Sequence, residues 1–291
     1  TNLAPESDYY IIVFGVDPAN NYEACSEVSK TKFTTLAFEK LDVTFEVETT
    51  VDGNTAEFEV TPSDNEVIWY FYTIPTGTFD YYQSPEAYNM SLDQFFLYCL
   101  EQQINQLRGA GYDDNTILNA IFHKGALTLQ AKDLTANTGY TNMVAGFVID
   151  ESGVITLASD VATSTYTTGD AKAADLTFEI SVTDVDMDRA AIKITPSDDK
   201  ATFCWMVGAW DGAKNAEEIM NEIVAMYGAW MNSGMMLYYG VQDYTGGPGS
   251  PYKYKLDAPD TDYCVVAFGY AGGITTAPVL ETFHTLPAPD A

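Results

Sequence analysis

One stretch of this chain occurs three times: a polar turn that leads into a tyrosine, followed at once by an apolar run. The copies span residues 3–16, 134–147 and 256–269, with Tyr9, Tyr140 and Tyr263 in corresponding positions. A turn followed by an apolar run of strand length predicts a β-strand with a defined entry point. Because the interval between copies is much longer than a solenoid repeat, we expect tandem copies of one folded domain.

The regions before the second and third tyrosines also match one another. Residues 43–47 match 176–180, residues 58–65 match 192–199, and residues 68–73 match 202–207. Alternation of apolar and polar residues in these segments predicts half-buried strands. Apolar residues at helical spacing after Ser91 and after Asn215 predict capped helices. The predicted unit is therefore three strands, a helical insert and two further strands.

The predicted domain boundaries follow from where the copies begin. Residues 40–170 form one domain with a helical insert at 80–125, and residues 171–291 form another with an insert at 213–240. Residues 1–39 match only the final hairpin of the unit. A two-stranded hairpin is marginally stable alone. We therefore expect it to have lost partner strands with an upstream segment, to pack on the next domain, or to be completed by another chain.

The repeated turn resembles the tyrosine corner before strand F of fibronectin type III domains, which are immunoglobulin-like β-sandwiches. The resemblance covers most of the chain after residue 41, outside the predicted helices. It implies that Tyr9, Tyr140 and Tyr263 fill the sandwich edge while their hydroxyls hydrogen-bond to backbone upstream. The chain departs from the family in carrying helical inserts, and in having Val60 and Ile194 where the family has a tryptophan on strand B.

A narrower resemblance comes from the Thr-Pro-Ser-Asp pattern at 61–64 and 195–198, together with the small residue and glycine that close each tyrosine strand. These features look like tandem repeats in surface lipoproteins of Bacteroidetes. That resemblance implies an extracellular position at the bacterial cell surface, with an outer-membrane lipid anchor upstream of this chain. It implies no single activity, because the family has none in common.

The charge balance restricts the partners. The chain has 42 Asp and Glu against 13 Lys and Arg, a formal net charge of −29. A field of that sign repels phosphate backbones and anionic lipid surfaces, so we expect no nucleic-acid partner. An acidic surface is typical of a secreted protein kept soluble by its charge. No run of about 18 apolar residues is present, and we predict no membrane-spanning segment.

Four cysteines are too few for a disulfide scaffold in a chain of this length. They are Cys25, Cys99, Cys204 and Cys264. Cys204 and Cys264 are expected on neighbouring strands of the last copy, where a cross-strand disulfide and two free buried thiols are the alternatives. The second alternative is favoured.

We predict no enzymatic activity and no cofactor. The sequence contains no GxSxG, HExxH or Walker motif. The two histidines are His123, expected at the end of a helix, and His284, expected on the final strand with no acid opposite it. Without a nucleophile pattern near either of them, no catalytic triad can be assembled. Acid pairs of the glycosidase type cannot be singled out among so many carboxylates.

One acidic pattern is a candidate metal site. Asp184, Asp186 and Asp188 alternate along the chain, so their carboxylates can face one way and meet a Ca²⁺ ion. The equivalent turn of the earlier copy lacks this triad. A solvated hairpin turn is the competing interpretation, and the incomplete ligand set favours it.

The helical inserts are the predicted location of function, because folds commonly place binding residues on segments grafted onto a rigid frame. The second insert and the loop after it are rich in aromatic residues. The candidate binding residues there are Trp230, Tyr238, Tyr239, Tyr244, Tyr252 and Tyr254. Packing of the helix on the sheet is the alternative for these residues, and we favour it over a binding platform.

The predicted function is that of a non-enzymatic, extracellular cell-surface protein, used in adhesion or in binding a protein or glycan through its inserts and loops. Two alternatives come from other classes. One is a structural stalk or assembly subunit whose first hairpin is completed by another chain. The other is an accessory carbohydrate-binding module, for which an exposed flat row of aromatic rings would be the supporting feature.

Overall fold

The structure is a computed structural model that describes residues 3, 7–36, 40–150, 153–247 and 252–288. The N-terminal segment contains β1 (Asp8–Val13), β2 (Val16–Asp17), β3 (Glu23–Ala24) and β4 (Ser29–Thr34). The second copy contains β5 (Phe45–Asp52), β6 (Thr55–Pro62), β7 (Ile68–Pro75), α1 (Thr76–Gln83), α2 (Leu92–Gly109), α3 (Asp114–Ile121), β8 (Phe122–Lys124), β9 (Leu127–Ala131), β10 (Gly139–Ile149), β11 (Ile155–Leu157) and β12 (Ala162–Thr167). The third copy contains β13 (Phe178–Thr183), β14 (Arg189–Pro196), β15 (Phe203–Ala209), α4 (Ala216–Asn232), β16 (Gln242–Tyr244), β17 (Tyr254–Lys255), β18 (Asp262–Gly269) and β19 (Val279–His284).

Strand order confirms the predicted fold class. In the second copy one sheet has the order β5-β6-β9, and the other places β7 between β8 and β10, with β11 and β12 both pairing with β10. In the third copy β14 pairs with β13, β16 and β17, and the second sheet has the order β15-β18-β19. The protein is therefore mainly β, with tandem fibronectin III-like sandwiches, and each helical insert lies between the third and fourth strands.

The number of strands after each insert was predicted wrongly. Two short strands precede the tyrosine strand in each copy, β8 and β9 in the second and β16 and β17 in the third. These strands have two to five residues, which is too short for a hydrophobic period to show. Helix α1 was not predicted either, because it begins Thr-Gly-Thr and its N-cap, Pro75, makes no side-chain capping bond.

Each insert packs on the sheet that contains the third strand of its copy. In the second copy, Phe96 of α2 lies against Tyr70 of β7, with ring centroids 5.2 Å apart, and Phe147 of β10 contacts both rings. In the third copy, Met220 and Ile223 of α4 share a buried cluster with residues of β15 and β18. These contacts bury the apolar stripe of each helix and fix its position on the sheet.

The tyrosine stretches have the geometry that the family resemblance implies. The Tyr140 hydroxyl accepts a hydrogen bond from the Thr135 backbone N–H at 2.9 Å. The Tyr263 hydroxyl accepts two, from Asp257 at 3.1 Å and from Ala258 at 2.9 Å. The ring of Tyr9 stacks on Phe33 at 5.8 Å, and residues 4–6 upstream of it lie outside the described residues.

The described residues divide into two compact units. The first takes in residues 7–48, 59–128 and 141–165, and the second residues 49–58, 129–140 and 166–288, apart from those not described. The predicted domain boundaries after residues 39 and 170 stay a prediction. The first unit includes the β1–β4 hairpin, in which Tyr10, Ile11, Ile12 and Val13 are exposed. Completion of this hairpin by further strands also stays a prediction.

The strand register of the third copy does not pair Cys204 with Cys264. Cys204 lies opposite Phe268, and Cys264 lies opposite Gly208. Both cysteines are buried free thiols, which confirms the favoured alternative. Burial raises the pKa of the Cys204 thiol to about 11, so this group is a protonated, unreactive core residue at neutral pH. No helix in the described part of the chain is long and apolar enough to cross a membrane.

Candidate functional site

The first helical insert exposes a group of stacked tyrosine rings, which we call the insert tyrosine cluster and define as Tyr81, Tyr82, Tyr88 and Tyr98. The stack starts from Phe95, which is fully buried on α2. Tyr82 stacks on Phe95 with ring centroids 5.0 Å apart and an interplanar angle of 25°. Tyr88 stacks on Tyr82 at 4.7 Å and 14°. Tyr88, 56% exposed, is therefore the outermost ring of a column anchored in the core.

Tyr81 gives the cluster a second wall. Its ring is perpendicular to that of Tyr88, at 82° and 5.8 Å, and to that of Tyr82, at 84° and 6.0 Å. Tyr81 is 58% exposed. Two exposed rings at right angles form an L-shaped aromatic surface, and aromatic rings in this arrangement are stabilised by their quadrupoles.

The loop that carries Tyr88 is held by its own hydrogen bonds. The backbone N–H groups of Ala87 and Asn89 both donate to the Ser84 carbonyl, at 3.1 and 3.0 Å, and Met90 N–H donates to the Tyr82 carbonyl at 3.0 Å. Asn89 adopts a left-handed conformation with φ 49°, which asparagine tolerates better than most residues. These bonds place Tyr88 over Tyr82 before any ligand arrives.

Helix α2 begins immediately after this loop, as predicted from Ser91. The Ser91 hydroxyl accepts from Gln94 N–H at 3.3 Å, and the Gln94 side chain accepts from Ser91 N–H at 2.9 Å. This reciprocal capping box stabilises the first turn of α2. Since Phe95 lies in that turn, the cap also fixes the buried base of the ring stack.

The cluster is chemically suited to binding. A hydrogen bond with Tyr98, together with burial, raises the pKa of Tyr82 to about 12, so its hydroxyl stays protonated. Exposed Asp80, Glu86 and Asn89 flank the rings along the chain and offer hydrogen-bond acceptors and donors. The arrangement can hold the flat apolar face of a ligand and bond the polar groups at its edge.

The sequence-based prediction named the second insert and missed this cluster. The signal was the density of tyrosine between residues 81 and 98, where four of them fall in 18 positions. Their spacing is not helical throughout, because Tyr81 and Tyr82 lie on α1, Tyr88 on the loop and Tyr98 on α2. Only the turn at 84–90 brings these segments together.

The structure divides the predicted binding residues of the second insert into two groups. Tyr238, Tyr244 and Tyr254 surround Trp205, with ring centroids 5.8, 5.4 and 5.6 Å from it. Trp230, Tyr239 and Tyr252 are exposed. Residues 248–251, between Tyr244 and Tyr252, lie outside the described residues. A binding role for all six stays a prediction.

The rings around Trp205 pack as part of the sandwich core. Trp205 is buried, and its indole N–H has no hydrogen-bond partner among the described residues. The buried tryptophan of the second copy, Trp69, donates to the Gly125 carbonyl at 2.9 Å. Burial raises the pKa of Tyr238 and of Tyr254, so both hydroxyls are neutral at physiological pH.

The aspartates predicted as a calcium site have protein cations beside them. The Arg189 guanidinium makes two bonds to Asp188, at 2.8 and 3.0 Å, and holds the pKa of that carboxyl below its usual range. Asp186 accepts from Met187 N–H at 2.8 Å, and Lys253 Nζ lies 3.9 Å from the Asp184 carboxylate. Among the described residues no three His, Cys, Asp or Glu side chains come together to hold a metal ion. Calcium binding at Asp184, Asp186 and Asp188 stays a prediction.

His284 lies on the final strand β19, as predicted, but the prediction that no acid lies opposite it was wrong, and so was the placement of His123 at a helix end. His123 lies on strand β8, after the end of α3, and its ring is 4.8 Å from Trp69; burial there lowers its pKa. His284 faces two acids. Its Nδ1 lies 2.8 Å from the Asp262 carboxylate, and its Nε2 lies 3.1 Å from that of Asp260. Asp262 is the direct cross-strand partner of His284, a register that the unaligned sequence did not reveal.

The pKa values of the two histidines should therefore be shifted in opposite directions from the ordinary value for histidine. Hydrogen bonds to Asp262 and Asp260 raise the pKa of His284, because the imidazolium can donate from both nitrogens. Its folded pKa lies above the unfolded value, so its stabilising contribution is complete below about pH 6.5 and is lost as the pH rises through the folded pKa. His123 should titrate below about 6.5.

Both values can be read from one series of NMR spectra of the histidine ring protons. Asp262→Asn should lower the pKa of His284 more than Asp260→Asn does, since Asp262 makes the larger contribution. Neither change should move His123, which serves as the internal control. A His284 pKa at or below that of His123 would contradict the prediction.

Comparison with known proteins gives structural neighbours but no family. No family model and no curated protein matches the chain. Among solved structures the chain is similar to chicken CNTN1 FN1–FN3 domains, with 11% identity over 98% of this chain and 79% of that one, at a TM-score of 0.28. A two-domain fibronectin type III segment of chicken tenascin is 12% identical over 83% of this chain and 98% of its own, at a TM-score of 0.26. The central fibronectin III array of RIM-binding protein is 10% identical over 87% and 72%, at a TM-score of 0.21. At these scores the fold assignment rests on the strand order described above.

Proposed function

We propose that this protein is a non-enzymatic, extracellular binding protein that recognises a glycan on the insert tyrosine cluster. The observation that supports this proposal is the exposure of Tyr88, at the end of a ring column that is anchored on buried Phe95. The sandwiches serve as the frame, and the first insert carries the recognition surface. A location at the bacterial cell surface, with an upstream lipid anchor, belongs to the same proposal and is supported by the repeated Thr-Pro-Ser-Asp turns.

A glycan fits the cluster better than a protein ligand does. One face of a pyranose ring is lined with C–H groups and can lie flat on an aromatic ring, while its hydroxyls project from the edge. Tyr88 offers the ring face and Tyr81 offers a wall at 82° to it. Exposed Asp80, Glu86 and Asn89 can bond the hydroxyls. The stack is held by backbone hydrogen bonds, so little conformational freedom is lost on binding.

The proposal predicts that Tyr88→Ala weakens glycan binding by about 10-fold or more, since stacking of one flat group, a nucleobase, on one aromatic ring contributes on the order of 1–3 kcal/mol. The ligand would first be found on a glycan array, and its affinity would then be measured by calorimetry. Tyr88→Phe keeps the ring and should stay within about 2-fold of the natural chain.

A matched control comes from Tyr112, which is 54% exposed and lies outside the cluster. Tyr112→Ala removes a tyrosine of nearly equal exposure and should leave binding unchanged. The proposal fails if the array shows no glycan ligand, or if the alanine variants at 88 and 112 bind equally well. Binding of a protein ligand, together with no glycan bound on the array, would favour protein recognition instead.

A further inference from the structure

A cleft of about 570 Å³ lies in the third copy, between the sheet and the N-terminal half of α4. Its floor is apolar and consists of Met206 on β15 with Cys264 and Val266 on β18. Ile219 and Ile223 of α4 form the facing wall. A volume of this size is within the range of small-molecule sites.

Gly208 leaves part of the cleft open because it has no side chain. Alternate residues of a strand face the same side, and Cys204 and Met206 of β15 face α4. Gly208 is the next residue in that series and lines the cleft. A Cβ built on Gly208 would meet no atom within 4 Å, so the space is open rather than filled by a neighbour.

The second copy shows what the same position looks like when it is filled. The match of residues 68–73 with 202–207 places Ile74 where the third copy has Gly208. Ile74 packs against the buried cluster of its own insert. Ile74 therefore fills, in the second copy, the position that Gly208 leaves open in the third.

The rim of the cleft is acidic. Asp211, Glu222 and Asp262 line it, and Lys214 is the only cation among the lining residues. Lys214 Nζ lies 2.6 Å from the Glu222 carboxylate, and His284 Nδ1 lies 2.8 Å from that of Asp262. Two of the three acids therefore have a basic side chain beside them, and Asp211 is the third. The half-buried indole of Trp210 also lines the cleft, and a tryptophan ring attracts cations.

We propose that this cleft binds a small organic ammonium ion, whose apolar body lies between the sheet and α4 and whose cationic group lies at the acidic rim. The apolar floor favours a hydrocarbon or aryl body. The excess of carboxylates at the rim excludes carboxylate ligands and attracts an ammonium group. This site lies on a different insert from the tyrosine cluster, and it does not depend on the proposed glycan recognition.

The experiment uses the full chain and measures binding of phenethylamine by calorimetry. Two probes of similar shape and different charge accompany it, neutral 2-phenylethanol and anionic 3-phenylpropionate. We expect the ammonium compound to bind about 10-fold more tightly than the alcohol, and the carboxylate not to bind. Equal affinity for all three probes, or no binding of phenethylamine, would overturn the proposal.

Two variants locate the site. Gly208→Ile introduces the side chain that the second copy has at this position, and it should reduce phenethylamine binding at least about 10-fold. The control, Gly109→Ile, adds the same side chain at another open position and should have no effect on binding. Asp211→Asn keeps the acceptor that bonds Ala213 N–H at 2.9 Å but removes the charge. It should abolish the preference for ammonium over alcohol, and it remains informative even if Gly208→Ile does not fold. Unchanged binding by Gly208→Ile, in a folded protein, would rule out the cleft.

A final measurement distinguishes a small-molecule ligand from a protein that presents the same ammonium group. An Ala-Lys-Ala peptide presents an ammonium group on an alkyl stem within a chain. We expect it to bind at least about 10-fold more weakly than phenethylamine, because burying its peptide groups on the apolar floor costs free energy. Tighter binding of the peptide would contradict the proposal of a small ligand.

Discussion

Replacing Phe147 by alanine should lower the free energy of unfolding by about 3–5 kcal/mol, the range for removing a buried aromatic side chain. Phe147 is buried on β10. Its ring lies 6.0 Å from Phe96 of α2 and 5.2 Å from Phe122 of β8. It therefore joins the sheet to the insert, and the cavity left by alanine opens on the face where the helices pack.

The measurement is equilibrium unfolding in urea, followed by circular dichroism. Val148 is the adjacent residue on the same strand, points to the opposite face and is exposed; Val148→Ala should change stability by no more than about 0.5 kcal/mol. Because the insert carries the tyrosine cluster, Phe147→Ala should also weaken any ligand bound there. A loss of stability below about 1 kcal/mol would show that Phe147 does not anchor the insert.

The second large effect is expected at the tyrosine corner of the third copy. Tyr263→Phe removes the hydroxyl that accepts from two backbone N–H groups, at 3.1 and 2.9 Å. A buried donor left without a partner costs about 1–3 kcal/mol. Tyr140 accepts from one N–H group, so Tyr140→Phe should cost less than Tyr263→Phe.

Thermal unfolding of the two phenylalanine variants tests this order. Tyr252→Phe is the control, since Tyr252 is exposed, and its melting temperature should match that of the natural chain. If the two corner variants lose equal stability, the second hydrogen bond of Tyr263 contributes nothing measurable. If neither variant loses stability, the hydroxyls are not what holds the turns.

Several local features were predictable because they depend on neighbours along the chain. The helix caps at Ser91 and Asn215 each accept a backbone N–H three residues on, as the residue types indicated. Helix α2 ends at Gly109, and the left-handed Gly111 follows it, with φ +91°.

Contacts between distant segments were not predictable in the same way. His284 and Asp262 meet because β18 and β19 pair in one register, and a shift of a single residue would separate them. Tyr82 and Tyr88 stack because the turn at 84–90 reverses the chain between them. Neither pairing leaves a periodic signal, since it depends on a turn geometry that many sequences share.

By itself the sequence determined the first three strands of the repeated unit, the strand faces and the presence of each insert, because alternation, helical spacing and turn residues act over a few neighbouring positions. Only the tertiary structure decided which insert exposes stacked rings and which encloses a cleft. The tyrosines of the first insert stack outward from Phe95, whereas three of those predicted in the second pack inward on Trp205. The physical reason is that a ring's exposure depends on the surface opposite it, and that surface comes from another part of the chain.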